Sequence, residues 1–185
     1  MNLVDRIKGI VVEPRNEWPK IAVEPATVQS LYTGWIMILA AVGPIAVLLT
    51  MHSVQFAIAQ YLLALIITFV LALIVDALAP SFGGTKDFVA SLKLTAYSYT
   101  IAWLSGIFLL LGMLGSVITL LATVYAFYTF FLGAPVMKKA SPEKAVPFTL
   151  LVVLCGIVLS LLSGLVFSGM MMAPRASAGM GLMMR

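Results

Sequence analysis

The chain has 185 residues, 62% of them hydrophobic and 10% charged, with a formal net charge of +4. Soluble domains average about 45–50% apolar and about 25% charged residues, so this composition excludes a soluble globular protein and indicates an integral membrane protein. A crossing helix needs about 20 apolar residues; five such runs fit, and too little chain remains outside them for a second core.

Residues 1–28 form a short amphipathic segment. It lacks the pattern of a signal peptide, because charges and prolines interrupt every apolar stretch before Leu31. Leu3, Ile7 and Ile10 follow helical spacing with Val4 and Val11 beside them, while Asp5, Arg6 and Lys8 lie elsewhere. Such a helix either lies among the headgroups, with Trp18 as an interfacial anchor, or caps the end of a bundle; the two are compatible.

Residues 29–170 form the membrane domain, an all-α bundle with spans predicted at about 31–51, 54–79, 88–111, 113–134 and 146–169. His52-Ser53 and Gly112 mark short turns, while 80–87 and 135–145 are longer links carrying charge, Pro and Gly. Ser141-Pro142 reads as a helix start. With the N-terminus inside, nine Lys and Arg fall on inner segments, against Arg175 and Arg185 outside. This asymmetry predicts an inside N-terminus and an outside C-terminus.

Pro44 in the first span removes a backbone hydrogen bond and predicts a kink. The fourth span carries a stripe of small residues, Gly115, Thr119, Ala122, Ala126, Thr129 and Gly133. The fifth has Gly156, Ser160, Gly164 and Ser168 at intervals of four, and the third has Ser98, Ala102 and Gly106. Small residues allow close helix approach in lipid. The plain expectation is packing within the bundle; the sharper one is a stripe left for a membrane-protein partner or a second copy.

Ionisable residues inside spans are costly and need a reason. Asp76 and Lys93 fall at similar depths on two helices joined as a hairpin, and Tyr97 shares a face with Lys93. They form a candidate polar patch at the inner mouth, or the charges simply snorkel to the headgroups. No catalytic constellation is visible: His52 is the only histidine, and the Gly83-Gly84 pair lacks the rest of a phosphate loop. No cofactor, metal or nucleic-acid partner is expected. Cys155 has no partner for a disulfide. Residues 171–185 read as a disordered outer tail. Residues 170–185 include six methionines, whose thioethers suit cuprous copper or are incidental.

Three stretches, "PRNEWPKIAVEP", "GGTKDFVASLKLTAYSYT" and "YAFYTFFLGAPVMKKASPEKA", make the chain resemble the bacterial branch of the Yip family over roughly residues 10 to 170. These are small five-span proteins related to eukaryotic Rab-interacting membrane proteins. The family commonly has a proline where this chain has Ile101, and the acidic "DLYGP"-like element near the first span is not matched. The resemblance implies five helices, an inside N-terminus and a bacterial inner membrane, and carries over no catalytic residue. The expected function is non-enzymatic scaffolding or organising of partner proteins or lipids, with a carrier or channel for a small solute, lipid or ion as the alternative.

Overall fold

The computed structural model describes residues 2–183, all of whose regular elements are helical. Two short helices, α1 (Leu3–Val12) and α2 (Pro14–Val23), precede five long ones. These are α3 (Val28–Met51), α4 (Val54–Phe82), α5 (Phe88–Leu111), α6 (Met113–Lys138) and α7 (Pro142–Met183, with its apolar stretch at Glu143–Gly169). All five are long and apolar enough to cross a membrane.

Local chemistry explains most of the ends. Thr27 and Ser30 form a reciprocal capping box that starts α3. His52 takes left-handed backbone (φ 52°), and the Ser53 side chain then caps α4. The α5–α6 turn is made by Gly112 at φ 61°. The α6 helix runs four residues beyond the predicted end, through Pro135 to Lys138, so the expected 135–145 link shrinks to a short corner before α7 starts at Pro142. The α7 helix continues past Gly169 into the methionine-rich stretch; side chains from Met170 onward lie outside the described residues, and so does any reading of copper binding.

Two helices depart from regular geometry. In α3 a π-helical turn spans Tyr32–Ile36, and the helix is interrupted at Ala41. Pro44 lacks the N–H that would bond to Ala40, which accounts for the break one turn upstream. The α5 helix is interrupted at Tyr99 and tightens to 3₁₀ geometry from Gly106. Ile101 therefore occupies the proline position without restoring a continuous helix.

The core is centred on α5, where every residue from Ser91 to Ala96 is buried, together with Ser98 and Thr100. By contrast, only 11% of the apolar stretch of α7 is buried, against 39% for α5, so α7 is the peripheral helix. Small residues set the closest approaches. A Cβ on Gly106 would lie 2.9 Å from the Gly43 Cα, so α3 and α5 touch backbone to backbone. A Cβ on Gly115 would overlap the Phe108 carbonyl at 1.7 Å. Along α6, Gly115, Ala122, Ala126, Thr129 and Gly133 are buried and Thr119 is half-buried. On α7, Gly156 faces the Tyr99 hydroxyl, whereas Ser160 and Gly164 are exposed and nothing lies within 4 Å of a Cβ on Gly164.

The N-terminal segment is part of this bundle. Trp18 is 0% exposed and packs with Ile10 and Ile21 against Leu71, Leu94, Phe130 and Phe148. Its Nε1–H donates to the Thr129 carbonyl at 3.0 Å. The indole fills the space left by Gly133, where a Cβ would stand 2.4 Å from the ring. Trp18 is thus a core residue rather than a headgroup anchor. The physical reason is the notch at Gly133: an indole that buries its face and satisfies its N–H inside gains more than one left at the surface.

Candidate functional site

Five charged side chains are buried among the described residues: Arg6, Glu17, Asp76, Lys93 and Lys138. Burial of a charge is tolerated only with partners, and the five form two clusters at the N-terminal end of the bundle.

The first cluster joins α4, α5 and α6. Asp76 Oδ1 accepts from Lys138 Nζ at 2.9 Å, from the Asp87 N–H at 2.7 Å and from Ser91 Oγ at 3.1 Å. Lys138 Nζ also donates to the Asp87 carbonyl at 2.8 Å and to Ser91 Oγ at 2.7 Å. The glycine-led loop between α4 and α5 makes this possible. Gly83 takes φ 76°, and a Cβ on Gly84 would stand 2.9 Å from the Lys138 carbonyl. Thr85 then donates its N–H to that carbonyl at 2.8 Å, capping the end of α6. The loop is a clasp that holds the α4–α5 hairpin to α6.

The second cluster fastens the N-terminal segment. Arg6 donates from Nη1 to Glu17 Oε1 at 2.5 Å and from Nη2 to Glu24 Oε1. Lys20 Nζ reaches the other Glu17 oxygen at 2.9 Å. Gly9 makes room, since a Cβ there would meet the Glu17 carboxyl carbon at 2.5 Å. Lys93, reaching from α5, donates to the Ile21 carbonyl at 2.9 Å and to the Glu24 carbonyl. These are unsatisfied groups at the C-terminal end of α2, where a cation is favoured.

The structure therefore divides the expected patch. Asp76 belongs to the first cluster and Lys93 to the second. Tyr97 stays with Lys93, its ring centroid 4.6 Å from that of Trp35. Both line a cavity of about 380 Å³ with Arg6, Glu24 and Gly34. Helical depth placed Asp76 and Lys93 at one level, but depth carries no information on which way each side chain points around its helix. Lys138 and Glu17 were not among the expected site residues. Arg6, expected to lie away from the apolar positions, instead shares a helix face with Leu3 and Ile10, three residues after the one and four before the other, and is buried. For Lys138 there was no signal beyond its place in a basic run.

Comparison with known proteins adds a family. The Yip1 domain family model matches residues 8–175. The chain belongs to the Yip1 domain family. The match takes in α2, the whole of α3 to α6 and α7 as far as residue 175, so the segment that carries Glu17, Trp18 and Lys20 lies within the Yip1 domain. No curated protein and no solved structure matches the chain. The first cluster lies wholly within the Yip1 domain and the second lies within it except for Arg6; in both, the acidic groups accept from a lysine, an arginine or a backbone N–H of the same chain.

Proposed function

We propose that this Yip1-domain protein is a non-enzymatic membrane scaffold that organises partner proteins or lipids, with its N-terminal end facing the cytoplasm. One observation supports this most. The buried ionisable groups hold the chain to itself, whereas the basic residues Lys8, Arg15, Lys20, Lys86, Lys139 and Lys144 are exposed around the same end. A catalytic acid or an ion carrier needs a carboxylate free to change partners. The Asp76 oxygen that faces the bundle accepts three hydrogen bonds instead. A rigid bundle end bearing exposed cations suits acidic partner segments or anionic lipid surfaces, and a basic excess of this kind belongs on the cytoplasmic side.

The test is photo-crosslinking of the full chain in native membranes from Lys139, on the exposed corner after α6. A discrete, repeated protein adduct is the expected result. Solute or ion flux in proteoliposomes that Asp76→Asn abolishes overturns the scaffold reading and installs a carrier. Labelling of Lys20→Cys by an impermeant thiol reagent, in a Cys155→Ser background and on either side of sealed vesicles, checks the orientation independently.

A further inference from the structure

The geometry points to a binding site for one anionic phospholipid headgroup in the cavity between α1, α3 and α5. Four features of that cavity carry the assignment. The first is charge. Among the residues that line it, Arg6 and Lys93 bring two positive charges against one on Glu24, so the lining holds one cation in excess. On the far side of Lys93 an adjoining cavity adds Lys86 and Lys139 against Asp87. A singly charged phosphodiester neutralises the excess on the cavity side.

The second feature is donor capacity. An ammonium has three donors, and Lys93 uses two of them on the Ile21 and Glu24 carbonyls. The Tyr97 hydroxyl, four residues on and lining the same cavity, has no hydrogen-bond partner among the described residues. One N–H and one O–H at i, i+4 spacing are a fitting pair for phosphate oxygens.

The third feature is the wall. The π-helical turn of α3 supplies Gly34 and Trp35 to the cavity, and single π turns recur at functional sites. Gly34 is exposed, and nothing lies within 4 Å of where its Cβ would stand, so the cavity opens sideways past α3. The fourth feature is depth. Gly34 lies six residues into α3, roughly 9 Å from its start at 1.5 Å per residue. That is near the boundary between headgroups and acyl chains, since the polar zone is about 5–8 Å thick on each side. A lateral opening at that level admits a lipid with its chains still in the bilayer. A soluble phosphate ester would need no such portal. Trp35, its Nε1–H taken by Thr100 at 3.2 Å and its ring packed on that of Tyr97, forms a fixed apolar wall of the cavity.

This site deepens the lipid arm of the scaffold reading and rests on it only for the membrane setting. Lipid retention and protein crosslinking are separate readouts, so either can fail alone. The experiment is native mass spectrometry of the full chain released from nanodiscs of equal phosphatidylglycerol and phosphatidylcholine. The expected result is one retained phosphatidylglycerol per chain. Tyr97→Phe, which removes only the hydroxyl, lowers retention by about tenfold, the scale of one hydrogen bond to a charged group. Gly34→Leu, which fills the portal where there is open space, abolishes retention without changing the melting of the helices by circular dichroism. Equal retention of both lipids overturns the site, as does retention that survives both substitutions, which marks annular lipid. Displacement of the lipid by millimolar glycerol 3-phosphate assigns the cavity to a soluble ester and overturns it too.

Discussion

The two buried charge clusters lie at one end of the bundle and are built differently. Asp76 and Lys138 are closed in, with side chains 10% and 0% exposed, and both bond to the backbone of the loop before α5. In the Arg6 cluster one carboxylate, Glu17, is 3% exposed, but Glu24 is 43% exposed and Lys20 is 60% exposed. The first is a dry brace among membrane helices, and the second is a latch with one wet side. A buried pair contributes little net stability over apolar residues, yet losing one partner is expensive because the other charge stays behind. A half-exposed pair is screened by water and salt. The bundle should therefore tolerate loss of the latch far better than loss of half the brace.

The largest expected effect follows from that contrast. Lys138→Met strands the Asp76 carboxylate and should cost about 3–5 kcal/mol of stability. Measured by denaturant unfolding in detergent micelles, the double variant with Asp76→Leu should recover most of the loss. Equal values for single and double variants would show that the cluster's charges do not depend on one another.

Next in size is the docking of the N-terminal segment. Gly133→Val puts atoms where the Trp18 ring sits and should cost about 1–3 kcal/mol. Its signature is proteolytic cutting within residues 1–24 while the spans remain intact. Protection unchanged from wild type would break the idea that this notch holds the segment.

Two smaller effects sharpen the comparison. Gly115→Ala forces the α5–α6 turn apart, whereas Gly164→Ala meets open space and should stay within about 0.5 kcal/mol of wild type. A melting curve for each distinguishes a packed small residue from one merely facing lipid. Smallest of all, Lys20→Ala removes an exposed ion pair and should shift stability by less than about 1 kcal/mol, with the shift vanishing at high salt.

The presence of five long apolar helices was legible because its signal is local. An apolar run of sufficient length and a turn residue after it are properties of consecutive residues. The fourth span shows the limit: Pro135 reads as a stop, but α6 continues through it to Lys138, since a bundle can support a helix past a proline. The burial of Gly115 through Gly133 was legible as a stripe for the same local reason, while its partner could not be read. Nothing in the order of residues says that Trp18, 111 positions before Thr129, fills the notch beside Gly133.

By itself, then, the sequence determined a five-span, all-helical membrane protein with charge gathered at one end, because hydropathy, turn chemistry and small-residue spacing act over a few residues. Only the tertiary structure decided which charges meet. Asp76 went to Lys138 and Lys93 to the end of α2, leaving Tyr97 with a cavity in front of it. The choice depends on the rotation of each helix about its axis and on the docking of the N-terminal segment. Both are fixed by contacts between residues far apart in the chain.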